Sequence, residues 1–389
     1  MRCASVALLF AFTALASLSR ATPGLRTPTW TEEELDQATQ NFCREHGLPE
    51  ATQQPQIYDA FMFNSELDML EVRLLELYDF VDYFVVLEGK RSLQDRPKPL
   101  HYAENRQRFA RFASKIIHVT LDEDPQDKAR YRKWQRRVIE KMSGSAAMEA
   151  KAKRYGNLDE PFYREWWQRE QLWERGVSSQ AMDGDLVILG DVDEIPRPEV
   201  LRALRTCPFQ AQHNCANLDG SFFYYSYSGY AGDWKAGPKV VAYEGGGTMG
   251  GMDQDALRFE GNCTLQLPKS STHCTDCFST IAAFQNKVAS FAHWQLNGPP
   301  FTEPEYILHK VRSGLAIFDT DEKRAALHPA EYCDHAPRAV LENPHVLHYM
   351  LARDPKTGSF LDYEAHFGKG GQQKGSSFKL TLKKHGDTA

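Results

Sequence analysis

The stretch "DGDLVILGDVDEIPRPEVL", Asp183 to Leu201, drives an apolar run, Leu186 to Gly190, into three carboxylates: Asp191, Asp193 and Glu194. Carboxylates this close repel one another and raise each other's pKa unless a cation or strong donors hold them. In an extended strand residues two apart share a face, so Asp191 and Asp193 are expected to point the same way. Such a pair can hold a hard divalent cation whose remaining positions go to water and substrate phosphates. A plainer reading competes. "DEIPRPEVLRAL" opens a helix with proline in its first turns, and the acids would then cap that helix or pair with Arg197 or Arg202. A phosphatase-type aspartate pair would look similar. A calcium loop needs more oxygen ligands and a turn glycine, which this stretch lacks.

"SSTHCTDCF" offers a second cluster, Cys274-x-x-Cys277 with His273 beside it. It is either half a zinc site or a disulfide. No second cysteine pair follows at zinc-finger spacing, which favours the disulfide. His293 in "SFAHWQ" and His348 in "VLHYML" are candidates for a metal or phosphate contact, although a histidine in an aromatic stretch is more often a satisfied core residue.

The compartment follows from the N-terminus. Arg2 precedes the apolar stretch Cys3 to Ser19, and Ser19-Arg20-Ala21 suits a signal-peptidase cut. The alternative is an uncleaved signal anchor, since the stretch lies at the short end of the ~17–25 residues that span a bilayer. Either way residues 1–21 send the rest into the secretory lumen, Golgi-anchored as a type II protein or secreted. Of the 8 cysteines, Cys43, Cys207, Cys215, Cys263, Cys274, Cys277 and Cys333 follow the leader. Disulfides are expected, with Cys207 and Cys215 a candidate pair across a short loop and one thiol left over. Asn262-Cys263-Thr264 is a glycosylation sequon.

The elements that must position these residues read as α/β. "IYDAFMF" (Ile57–Phe63) is a strand, and "SELDMLEVRLLELYDFV" places Leu67, Leu70, Leu74 and Leu77 at helical spacing. "DYFVVLEG" (Asp82–Gly89) and "KIIHVTLDE" (Lys115–Glu123) are further strands. "EPFYREWWQREQLWERGV" is an amphipathic helix feeding the acidic strand. Strand and helix in alternation build a largely parallel sheet, and ligands gather at the carboxyl ends of its strands. Residues 22–54 read as a stem with little core of its own, 126–157 as a basic, solvated insertion, and 368–389 as a disordered tail. The 389 residues suit one large domain or two. A net charge of -6 gives no reason to expect nucleic acid, and 22 Phe with 7 Trp support a substantial core.

Taken together, "DGDLVILGDVDEIPRPEVL", "ELDMLEVRLLELYDFVDYFVVLEG", "RPKPLHY", "STHCTDCFSTIAAFQNKVASFAH" and "PHVLHYML" resemble glycosyltransferase family 17 over roughly Ile57 to Leu351. The resemblance implies a GT-A-like domain at 55–367 with a mostly parallel central sheet. It implies inverting transfer of GlcNAc from UDP-GlcNAc to a mannose of an N-glycan, with Mn2+ or Mg2+ as cofactor. On that reading Asp191, Asp193 and His293 are metal candidates. Asn64, Glu66, Glu88, Arg169, Asp191 and Lys287 are donor-site candidates, although Arg169 and Lys287 also suit a salt bridge or a surface position. An inverting transfer needs a base. Asp255 and Asp253 in "GGMDQDALRF" are the candidates, with Glu244 next, although a solvated loop is the commoner role for either aspartate taken alone. The basic insertion and the short tail depart from the bisecting-GlcNAc enzymes of the family, which leaves the acceptor side open. Two other readings stand beside this one: the same machinery with another UDP-sugar or acceptor, and a non-catalytic luminal carbohydrate-binding protein. UDP with manganese would stabilise an enzyme but not the last of these.

Overall fold

The structure is a computed structural model, and it describes residues 25–51, 53–126, 129–133, 160–209, 213, 215–245, 247–248, 263–318, 328–329 and 335–368. The leader, most of the basic insertion, Asp253, Asp255, Asn262, Cys333 and the tail after Gly368 lie outside the described residues. Among the described residues no helix is long and apolar enough to cross a membrane.

The predicted strand–helix–strand order is present. Strands β1 (Ile57–Met62), β2 (Tyr83–Gly89), β3 (Ile116–Leu121) and β4 (Leu186–Asp191) form a parallel block in the order β3-β2-β1-β4. β1, β2 and β4 are buried on both faces, which is why they read as unbroken apolar runs rather than alternating ones, whereas β3 at the edge is only partly buried. Beyond β4 the sheet changes character. The later strands are β5 (Glu194–Pro196), β6 (Ala216–Tyr224), β7 (Gly229–Trp234), β8 (Lys239–Glu244), β9 (Gly247–Thr248), β10 (Leu265–Thr275) and β11 (His328–Pro329). β8 runs antiparallel to β4 and β6, and β7 antiparallel to β6. β10 lies parallel to β6 and antiparallel to β5. The sheet is therefore mixed, not mostly parallel as expected. The cause is local: a four-residue link joins β6 to β7 and can only reverse the chain, and β8 then runs on from β7 in the same direction along β6.

The stem expectation also gives way. Residues 32–46 form helix α1 (Glu32–His46), started by a capping box on Thr31 and Glu34 and stopped by Gly47 in the left-handed region. It packs on helix α4 (Pro198–Thr206), which follows α2 (Leu67–Leu77) and α3 (Glu160–Gln171) in the chain. Arg202 of α4 pairs with Glu32 at 2.8 Å and with Asp36. Cys43 of α1 is bonded to Cys207 at the end of α4.

The other disulfides are Cys215–Cys263 and Cys274–Cys277. The expected Cys207–Cys215 pair is not formed. Cys207 closes a helix that faces α1, whereas Cys215 sits just before β6. There the parallel register Ala216↔Leu265 brings it beside Cys263, with Cα atoms 4.7 Å apart. With Cys274 and Cys277 joined, neither is a thiolate able to bind zinc.

Candidate active site

What holds the acidic turn together comes mainly from α2. Arg73 is fully buried. Its Nε and Nη2 donate to Asp59 at 2.8 and 2.6 Å, and its Nη1 donates to the carbonyls of Asp191, Val192 and Glu194 at 2.8, 3.3 and 2.6 Å. Glu194 is also buried and accepts from the Asp191 amide at 3.0 Å and from Trp234 Nε1 at 2.9 Å. The chain is thereby fastened on both sides of Asp193. Neither Arg197 nor Arg202 neutralises the acids: Arg202 reaches α1 and Arg197 approaches Glu199.

The two aspartates meet separate cations. β4 ends at Asp191, so strand alternation does not carry through to Asp193, which lies in the following turn. Asp191 accepts from Arg169 Nη2 of α3 at 3.0 Å, and the same nitrogen donates to Glu165 at 2.8 Å. Asp193 faces His273 Nε2 at 3.4 Å and Lys287 Nζ at 3.6 Å. Burial pushes the Asp193 carboxyl up, but the charges of His273 and Lys287 outweigh it and hold the group down at about 2. Conversely, burial opposes protonation of His273, and Asp193 overcomes this to raise its pKa. Pairing of β10 with β5 places His273 opposite Glu194, which sets this geometry. Lys287 belongs to helix α5 (Ile281–Val288) and is shared with Thr275 Oγ1 at 3.1 Å and Asp276 at 3.4 Å.

A pocket of about 200 Å³ opens beside Asp193, between the start of α2 and α5, with Glu66, Asp68, Arg108, Asp276 and Lys287 in its wall. Sites for whole drug-sized ligands run ~300–1,000 Å³, so this pocket is smaller than such a site. Asp276 has left-handed φ of 58° and is buried, and burial raises its pKa. On the other side of His273, Phe222 and Trp234 stack on each other at 4.9 Å and both rings touch the imidazole, at 4.9 and 4.7 Å. Both rings are half-buried.

The remaining candidates divide. Glu66 lies in the pocket wall. Asn64 is close by, donating to Ser290 Oγ at 2.7 Å. Glu88 is buried and occupied: it accepts from the amides of Tyr102 and Ala103 at the short helix His101–Glu104 and meets His118 Nε2 at 2.9 Å. His293 packs against the rings of Phe162 and Phe291. His348 is exposed, while its neighbour Tyr349 lines the pocket. Among the described residues no group of three or more Asp, Glu, His or Cys is arranged to hold a metal, so His293 is not brought to the aspartates. Of the two aspartates, Asp193 is held ionised and Asp191 is 39% exposed at its side chain. Arg73, Asp276 and the Phe222–Trp234 pair were not singled out from sequence. Arg73 sits among leucines as one polar letter, and the aromatic pair is assembled only by strand pairing.

Two overlapping segments, residues 19–149 and 123–351, match the model of glycosyltransferase family 17. The chain is also similar to the beta-1,4-mannosyl-glycoprotein 4-beta-N-acetylglucosaminyltransferases of Mus musculus and Homo sapiens. The mouse protein is 24% identical over 344 residues, covering 77% of this chain and 56% of the relative. The human protein is 24% identical over 335 residues, covering 76% and 55%. The chain thus spans just over half the length of these relatives.

Proposed function

The chain belongs to glycosyltransferase family 17, and from that membership we propose that it is an inverting N-acetylglucosaminyltransferase. It takes GlcNAc from UDP-GlcNAc and places it on a mannose of an N-glycan, in the secretory lumen. The observation that carries this reading is the Asp193 carboxylate, held ionised between His273 and Lys287 at the mouth of a pocket. A charge-paired carboxylate in the wall of a pocket is a candidate functional group. The printed names of the relatives support the sugar and the acceptor. Three disulfides among the described residues support an oxidising compartment. The parallel block with acids at its carboxyl edge supports a GT-A-like nucleotide half.

The residues divide the work by charge. Asp191 and Asp193 would hold Mn2+ or Mg2+, which when bound supplies positive charge against the departing diphosphate. Arg169 and Lys287 add fixed positive charge on either side, and being held by Glu165 and Asp276 they need little reorganisation. Phe222 and Trp234 present an apolar face of the kind that packs against a sugar ring. The test is a screen of the purified protein across UDP-sugars and glycan acceptors, beside thermal unfolding with UDP and Mn2+. A ligand at 100 times its Kd stabilises by ~2.7 kcal/mol. Asp193→Ala should abolish both transfer and that stabilisation while the protein stays folded. Full transfer by folded Asp193→Ala would refute the assignment of the site.

A further inference from the structure

An inverting transfer requires that the acceptor hydroxyl lose its proton as it attacks, and the pocket beside Asp193 narrows which group takes it. Asp68 has both oxygens engaged, one by Arg108 Nη2 at 2.7 Å and the other by the Tyr349 hydroxyl at 2.8 Å and Ser279 Oγ at 3.3 Å. Asp276 is in the wall, but its carboxylate oxygens are shut off from solvent. Asp193 is occupied by His273 and Lys287, which stabilise its charged form and make it a weak proton acceptor. Asp191 lies on Arg169. Glu66 differs from all of these. It stands at the N-cap of α2 with non-helical backbone, yet its side chain makes no cap hydrogen bond. One oxygen accepts from the Ser65 amide at 2.8 Å, which fixes the carboxylate in place. The other makes no hydrogen bond to the described residues, and the side chain is half-buried in the pocket wall.

We infer that Glu66 is the proton acceptor of this site, an assignment that rests on the transferase reading above. The acceptor O–H bond breaks and its proton passes to the Glu66 carboxylate. The freed oxygen pair forms the new bond to the anomeric carbon. The pair of the old anomeric C–O bond leaves on the diphosphate.

Three sets of measurements test this on the full chain: transfer rate, thermal stabilisation by UDP with Mn2+, and rescue by formate. Glu66→Gln should transfer ~10²–10⁴-fold more slowly and keep the wild-type UDP–Mn2+ stabilisation. Glu66→Ala should recover part of its lost turnover with formate, which a merely structural glutamate would not do. Transfer by Glu66→Gln within a few-fold of wild type overturns the assignment and leaves the proposed function intact. Loss of UDP–Mn2+ stabilisation in Glu66→Gln makes Glu66 a donor-site residue and also overturns it. Should Glu66→Gln not fold, Glu66→Asp carries the test: it withdraws the oxygen by one methylene, and unchanged turnover refutes the base role. A wild-type protein that neither transfers any sugar nor responds to UDP removes the transferase reading itself.

Discussion

At Arg73 one guanidinium both neutralises Asp59 and fixes three carbonyls of the acidic turn. Taking away one member of a fully buried pair costs about 3–5 kcal/mol, because the other charge is stranded. Arg73→Met should therefore lower unfolding free energy by that order in a urea titration, and transfer should fall even where the protein remains folded. Glu76 makes a different residue-scale prediction. Burial lifts its pKa from 4.5 to about 7, although its oxygens accept the amides of Arg338 and Ala339. The folded state then keeps a proton that the unfolded state has released. Stability should fall as pH rises from about 4.5 to about 7 and level off above that, by about 3 kcal/mol in all. Urea titrations across that range should show the slope, and Glu76→Gln should flatten it. Neither residue was legible as a determinant. In sequence Arg73 and Glu76 are polar letters on a leucine-spaced helix, where a solvated face is the normal reading, and only the contacts made by α2 reveal that both are buried.

Among the elements, the parallel strands were the most legible because each is a short apolar run bounded by turns, and β1 to β4 lie within a residue or two of their expected limits. The mixed half was less so, since its strands draw on distant partners: β10 finds β6 and β5, and β8 finds β4. That half also depends on close backbone crossings. A Cβ on Gly237 would lie 1.9 Å from the carbonyl oxygen of Leu218, a backbone atom that cannot swing aside. Gly237→Ala should cost at least the ~1–3 kcal/mol of overpacking, read as a lower melting temperature. The α3 helix passes into a π-helical turn at Leu172–Gly176, where Gly176 allows an approach that would put a Cβ 2.2 Å from Val85 Cγ1. The site was legible to the same degree as its elements. Asp191 ends a recognisable strand and Asp193 follows in its turn, whereas their cations Arg169, His273 and Lys287 come from three separate segments that only the fold brings together.

For the molecule as a whole, the covalent links matter as much as the sheet. The Cys43–Cys207 bond joins residues 164 apart and ties α1 to the body, so residues 32–46 are part of the domain. Disulfides closing long loops typically contribute about 2–4 kcal/mol. Cys43→Ser should lower the melting temperature accordingly and leave Cys207 open to alkylation, which mass spectrometry after iodoacetamide would detect. The same link has a consequence for biosynthesis. A chain made at ~5–20 residues per second exposes Cys43 roughly 8–33 s before Cys207 is synthesised, while Cys215 follows Cys207 almost at once. Cys207 therefore emerges with its final partner Cys43 already present, and Cys215 then competes for it from a much shorter distance along the chain. On the proposed secretory route, the yield of this protein should depend on the enzymes that reshuffle disulfides during translocation, and a reticulum depleted of them should retain chains joined at Cys207–Cys215.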